Sequence, residues 1–140
     1  MKYRVSENKV LVVLEKGDEI LESLYKIAKD IDIKSCWING IGAAENIILG
    51  AYPLSEKKYI KKDFNGEYEL TGLIGNITIK ENEPFVHIHT TISDEDCNAF
   101  GGHLFSAVVT ATCEIMLTLM KKTINRVECN EVGLYLWDFE

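Results

Sequence analysis

The sequence predicts an α+β fold, mainly antiparallel β-sheet with one principal helix near the N-terminus. Most of the chain consists of alternating or continuous apolar stretches separated by glycines, which is typical of strands. The 3.6-residue apolar repeat of an amphipathic helix occurs once, at about residues 18–30. With 140 residues, 46% of them hydrophobic, and no linker or low-complexity stretch, the chain is expected to form a single domain over residues 1–140.

The first elements are predicted from a change of period. Residues 2–15 alternate polar and apolar around Ser6-Glu7-Asn8, which predicts two short strands joined by a turn. Asp18, directly after Gly17, is the expected N-cap of the helix. The apolar residues that follow at helical spacing are Ile20, Leu21, Leu24, Ile27, Ala28 and Ile31.

After the helix the pattern is that of strands to the end of the chain. The predicted strands are 34–39, 45–52, 68–79, 85–92, 104–120 and 134–139. Gly40-Ile41-Gly42-Ala43-Ala44 lacks the third glycine of a dinucleotide-binding fingerprint and runs into a strand, so it is interpreted as a turn. One face of 104–120 is apolar and the other half-polar, which indicates a cavity wall or a subunit contact.

Composition limits the classes of function. The net charge of −7 disfavours binding to a phosphate backbone. The N-terminus shows no signal-peptide pattern, and no apolar run approaches the roughly 20 residues of a membrane span. The cysteines at 36, 97, 113 and 129 form no C-x-x-C pair, and Cys97 is interpreted as a free thiol in a polar turn. A cytoplasmic, reducing location is expected.

All three histidines fall within 17 residues, as His87-Ile88-His89 and Gly101-Gly102-His103. Strand parity places His87 and His89 on one face, roughly 6.6 Å apart along the strand, with the aliphatic residues on the other. His103, after a Gly-Gly flexure, is expected to complete a site. Three imidazoles with an open fourth position are typical of catalytic zinc.

Plainer interpretations stand beside this one. His87 and His89 fit equally as polar residues of a half-exposed strand, with His103 in a loop. The acids Asp94, Glu95 and Asp96 are best explained as solvating a turn. The basic run 57–62, with Tyr59 interleaved, suits a solvated hairpin better than a phosphate-tracking surface because Glu56 and Asp63 flank it.

Several segments together resemble the plants-and-prokaryotes conserved (PPC) domain family. They occur in the family's order over nearly the whole chain, and the specific part is the H-x-H motif at 87–89 followed by G-G-H-L at 101–104. The matching segments are Asn39-Gly40-Ile41-Gly42-Ala43, Leu49-Gly50-Ala51-Tyr52, Gly66-Glu67-Tyr68-Glu69-Leu70, Leu73-Ile74-Gly75-Asn76-Ile77, Pro84-Phe85-Val86-His87-Ile88-His89, Ser93-Asp94, Gly101-Gly102-His103-Leu104 and Thr112-Cys113-Glu114-Ile115.

The resemblance implies a PPC-domain fold that assembles as a homotrimer. It also implies a metal such as zinc held by His87, His89 and His103. In plant members the domain is joined to AT-hooks, and standalone prokaryotic members are often labelled DNA-binding by that association. This chain has no Arg-Gly-Arg-Pro AT-hook, and its acidic balance offers no substitute.

Three hypotheses of function follow. The first is a trimeric protein that binds a divalent metal, most simply zinc, through the three histidines. The second is a metal-dependent enzyme of unknown substrate, with Glu69 or Glu114 transferring a proton from apolar surroundings where burial would raise a carboxyl pKa. The third is a DNA-binding or regulatory assembly protein, in which trimerisation gathers Lys57, Lys58, Lys61 and Lys62 into a basic ring.

Overall fold

The computed structural model describes residues 1–139, which form one helix and a nine-stranded, largely antiparallel sheet. The α+β class, with a single principal helix near the N-terminus, is confirmed. The elements in chain order are β1 (Lys2–Ser6), β2 (Lys9–Glu15), α1 (Ile20–Asp30), β3 (Cys36–Ala51), β4 (Ile60–Phe64), β5 (Tyr68–Lys80), β6 (Glu83–Ser93), β7 (Ala99–Leu119), β8 (Asn125–Cys129) and β9 (Leu134–Asp138).

Four strands form a closed circuit of pairings. Strand β3 pairs with β5, β5 with β6, β6 with β7, and β7 with β3, all antiparallel. Strands β1 and β2 extend the sheet from β7, β4 pairs with β3, and the β8–β9 hairpin joins β5 through a short parallel contact. The circuit makes β6, which carries two histidines, a direct neighbour of β7, which carries the third.

The core lies between the inner face of this sheet and the apolar face of α1. Ile20, Leu24 and Ile27 of the helix are fully buried, as the helical period predicts. On β2, Val10, Val12 and Leu14 are buried, while Leu11 and Val13 between them face outward. The buried residues of β2 and of α1 therefore belong to one hydrophobic core.

The helix begins one residue later than its predicted cap. Glu19, not Asp18, is the N-cap, and its carboxylate accepts a hydrogen bond from the backbone N–H of Glu22 at 2.7 Å. Asp18 instead accepts from the backbone N–H of Glu15 at 2.8 Å and pairs with the N-terminal ammonium at 2.7 Å. Its carboxylate therefore stabilises the connection between β2 and α1 rather than the first turn of the helix.

The turn predicted at 40–44 is wrong, because β3 runs unbroken through it. The pairing register of β3 shifts at Gly40 and Gly42, where the strand bends. A Cβ on Gly42 would lie 2.5 Å from the backbone oxygen of Thr112, and one on Gly40 would lie 2.8 Å from that of Glu114. Glycine is needed here so that β3 and β7 can approach closely, not so that the chain can reverse.

Strand β7 begins five residues before its predicted start at 104. Gly101 and Gly102 belong to it, so the expected flexure before His103 is absent, and His103 lies on a strand rather than in a loop. A Cβ on Gly102 would meet the backbone oxygen of Gly50 at 2.9 Å, so this glycine also permits a close strand contact. No helix of residues 1–139 has the length and apolar character to cross a membrane.

Candidate metal centre

The three histidines converge on the outward face of β6 and β7. His89 stands opposite His103 in the pairing register, and His87 lies two residues earlier on the same face. One nitrogen from each ring lies within 4.8 Å of those of the other two. Val86 and Ile88, which alternate with His87 and His89, are buried, so the predicted parity is confirmed.

Strand β5 sets the position of His87 through an unusually close contact. A Cβ on Gly75 would lie only 2.1 Å from the backbone oxygen of His87 and 2.9 Å from the Cα of Ile88. Real Cβ atoms do not approach this closely, so only glycine allows β6 to lie where it does. Gly75 therefore fixes the backbone of one predicted ligand.

Two of the imidazoles are half-buried, and their environment keeps them neutral. Burial lowers the pKa of His87 to about 4, assisted by the charge of Arg126 and by the other two histidines. Burial also lowers the pKa of His103 to about 4, with further contributions from His89 and Lys61. Neutral rings retain the lone pair that a metal ligand must donate.

His103 has a largely aromatic environment that leaves one of its ring nitrogens unpaired within residues 1–139. Its Nδ1 is buried and makes no hydrogen bond within the described residues. The ring packs against Phe105 at a centroid distance of 4.7 Å and against Tyr59 at 5.0 Å, so apolar surfaces surround it. A buried polar atom without a partner costs roughly 1–3 kcal/mol. The donor set of three imidazoles fits a zinc-like divalent ion.

Arg126 of β8 lies beside His87. Its Nε donates to Thr78 Oγ1 at 2.8 Å, and its two terminal nitrogens donate to the Tyr135 carbonyl at 2.7 Å and to Asn76 Oδ1 at 2.9 Å. One terminal nitrogen also contacts His87 Nδ1 at 3.4 Å. No carboxylate in the described part of the chain forms an ion pair with Arg126.

A cavity of about 430 Å³ opens beside the histidines. His87 and His103 line it together with Arg126, whereas His89 is exposed and does not line it. Sequence reasoning missed Arg126 as a site residue because it lies 39 positions from His87, on a strand that was not predicted. No local sequence pattern predicts the contact between Arg126 and His87.

The two glutamates considered for proton transfer lie elsewhere. Both Glu69 and Glu114 are exposed, so the expected burial in apolar surroundings is wrong. They line a shallow depression together with Ile41, and none of the three histidines contributes to it. The alternation of β5 and β7 turns both carboxylates outward.

The acidic loop after β6 is a self-contained turn, as interpreted from the sequence. Asp94 accepts hydrogen bonds from the backbone N–H groups of Asp96 at 3.1 Å and Asn98 at 2.9 Å. Cys97 is an exposed free thiol in the same turn with a φ of 63°. These contacts account for the loop without any role at the histidines.

The basic run 57–62 spans a turn and the start of β4. Lys57 donates to the carbonyl of Asn130 at 2.9 Å. Lys61 lies 3.9 Å from the centroid of the Phe105 ring, and Lys62 lies 4.9 Å from that of Phe64. Three of the four lysines of the run therefore have a partner within the chain.

Comparison with known families gives a match over most of the chain. The Plants and Prokaryotes Conserved (PCC) domain family matches residues 1–121. The chain belongs to this family. The match confirms the resemblance, carried by the histidine and glycine segments, to the same domain under its other abbreviation, PPC. The comparison with curated proteins gives no match.

Three solved structures are similar to this chain over nearly their whole length. A protein of Bacteroides thetaiotaomicron, labelled provisionally as DNA-binding, is 31% identical with a TM-score of 0.95, covering 99% of this chain and 96% of its own. A plant- and prokaryote-conserved protein of Pyrococcus horikoshii is 32% identical, with a TM-score of 0.87 and coverage of 98% and 94%. A protein of Archaeoglobus fulgidus described as metal-containing is 30% identical, with a TM-score of 0.86 and coverage of 97% and 96%.

Proposed function

We propose that this PCC-domain protein binds one divalent metal ion, most simply zinc, through His87, His89 and His103. The observation that carries the proposal is the convergence of three imidazole nitrogens within 4.8 Å on two paired strands. The unpartnered Nδ1 of buried His103 and the metal-containing relative from Archaeoglobus fulgidus support it. A metal bound there would supply Lewis acidity at any position the protein leaves open.

Metal analysis of the untagged protein tests the proposal. We expect about one zinc per chain after zinc loading and dialysis, and a loss of affinity of about 100-fold or more in His89→Ala. Thr91→Ala is the matched control, because Thr91 is exposed on the same face of β6 two residues further on. Absence of stoichiometric zinc, together with equal zinc titrations of wild type and His89→Ala, would refute the proposal.

A metal-dependent reaction is a second use of the same centre. It is favoured by the cavity beside His87 and His103, which gives a small molecule access to one side of the metal. The proton-transfer role of Glu69 or Glu114 stays a prediction, and the separate depression that holds both carboxylates counts against it. Hydrolysis or lyase activity that survives complete zinc removal would contradict this use.

We further propose that the protein assembles as a homotrimer through an apolar area of its outward sheet face. Leu11 of β2, Ile41 of β3 and Ile74 of β5 lie on strands that β7 and β3 join into one sheet, and they are exposed at 48%, 59% and 50%. Large apolar side chains exposed on one sheet are typical of subunit contacts. Light scattering should give three times the 15.8 kDa chain mass. Ile41→Lys should lower that mass, and a monomeric wild type would refute the trimer.

DNA binding is the remaining hypothesis, and the provisional label of the Bacteroides relative is what favours it. The chain itself has a net charge of −7, and three lysines of the basic run already have partners. A salt-dependent gel shift of the assembled protein decides it. Binding whose affinity falls steeply with salt and is lost in a Lys58→Glu/Lys61→Glu variant would support DNA as a partner. No shift near physiological salt would exclude it.

A further inference from the structure

The cavity beside the histidines combines positive charge with apolar walls. Arg126 and Lys80 both line it, and no aspartate or glutamate of residues 1–139 does. Phe85, Leu104 and Leu136 supply part of its apolar surface. Its volume of about 430 Å³ falls in the range of small-molecule sites. Such a cavity is complementary to an organic anion with an apolar body.

Arg126 is fixed in place before any ligand arrives. Its hydrogen bonds to Thr78, Asn76 and the Tyr135 carbonyl hold the guanidinium on three sides, and its Cζ lies 4.8 Å from the centroid of the Phe85 ring. No carboxylate in residues 1–139 neutralises it. A preorganised, half-buried guanidinium with no carboxylate partner in the described part of the chain is suited to bind a planar carboxylate.

Metal binding at His87 would free a further donor of Arg126. In the present contact at 3.4 Å, the arginine N–H can donate only if His87 Nδ1 carries a lone pair, which places the ring proton on Nε2. A metal on Nδ1 would take that lone pair. A metal on Nε2 would move the proton to Nδ1. In both cases Arg126 loses His87 as an acceptor, and one N–H becomes available beside the metal.

We propose that the cavity binds a small organic carboxylate, with Arg126 hydrogen-bonded to the carboxylate group next to the three-histidine metal. Lys80, whose Nζ lies 3.6 Å from the centroid of the Tyr135 ring, adds a second positive charge at the cavity wall. The expected coupling rests on the proposed metal: zinc frees the donor of Arg126, so zinc and carboxylate strengthen each other's binding by the same factor.

Calorimetric titration with benzoate tests the carboxylate site, and benzamide serves as a neutral probe of the same shape. We expect benzoate to bind the zinc-loaded protein at least about 10-fold more tightly than benzamide. Arg126→Gln should weaken benzoate binding by about 10- to 100-fold, with Arg126→Lys in between. Lys26→Gln, an exposed lysine outside the cavity, should leave it unchanged. Thermal unfolding checks that each variant is folded.

The outcomes separate this inference from the metal proposal. If zinc binds but benzoate is no tighter than benzamide, or if folded Arg126→Gln binds benzoate as wild type does, the carboxylate site is wrong. If zinc does not bind, the metal proposal fails. In that case, tighter binding of benzoate than of benzamide by the zinc-free protein would still support the carboxylate site. Equal binding of the two probes would overturn the carboxylate site. Equal benzoate affinity with and without zinc would refute the coupling.

Discussion

Replacing Gly75 by alanine should damage the fold and the metal centre together. The new Cβ would lie 2.1 Å from the backbone oxygen of His87, more than 1 Å inside ordinary contact, and 2.9 Å from the Cα of Ile88. Both are backbone atoms, so no side-chain rotation relieves the clash, and β6 must move away from β5. Overpacking of this kind costs about 1–3 kcal/mol.

The same movement should weaken zinc binding. Zn–N bonds are about 2.0–2.1 Å long and tolerate little change. A shift of His87 large enough to relieve the clash would therefore disturb its bond to the metal. We expect an affinity loss of about 10- to 100-fold, similar to that caused by disturbing the supports of metal ligands. Urea unfolding of the zinc-free protein measures the stability, and competition with a fluorescent zinc chelator measures the affinity.

Gly72→Ala provides a matched control three residues away on the same strand. A Cβ at Gly72 meets no atom within 4 Å. This variant should match wild type in both assays, or gain slightly in stability because alanine restricts the unfolded chain. If Gly75→Ala behaves like Gly72→Ala in unfolding and in zinc affinity, then the close β5–β6 contact does not position His87, and the reasoning is refuted.

Two further predictions concern proton linkage and the core. Burial lowers the pKa of His87 and His103 to about 4 from the usual 6.5, so between these values the unfolded chain binds protons that the folded chain does not. Stability of the zinc-free protein should therefore fall as pH drops from about 7 to about 5, less steeply in His87→Asn/His103→Asn; parallel thermal-unfolding profiles would contradict this. Ile27→Ala removes a fully buried side chain of α1 and should cost about 2–5 kcal/mol in urea unfolding, whereas exposed Lys26→Ala should change little. A small loss in Ile27→Ala would contradict the assigned core.

Strand parity alone was enough to place His87 and His89 on one face. Their neighbours Val86 and Ile88 alternate with them in a regular strand, so the side-chain directions follow from local sequence. The same rule applied to Glu114, which lies between buried Cys113 and Ile115, indicates an outward carboxylate. The expectation of burial there came from apolar neighbours in sequence, which on a strand occupy the opposite face.

Features that depend on distant strands were not predictable from local pattern. Gly42 looked like part of a turn because glycine marks turns and close contacts alike, and only the backbone of Thr112 distinguishes them. Arg126 reaches His87 because β8 pairs with β5 at Lys80, a parallel contact without a sequence signature. Long-range pairing therefore determines the part of the site that local periodicity cannot show.

Anomalous diffraction from crystals of the untagged, zinc-loaded protein tests the central claim most directly. The account predicts one anomalous peak per chain at the zinc edge, about 2.0–2.1 Å from a nitrogen of each of His87, His89 and His103. An anomalous peak at other residues, or no peak at these histidines in protein that carries stoichiometric zinc, would contradict it.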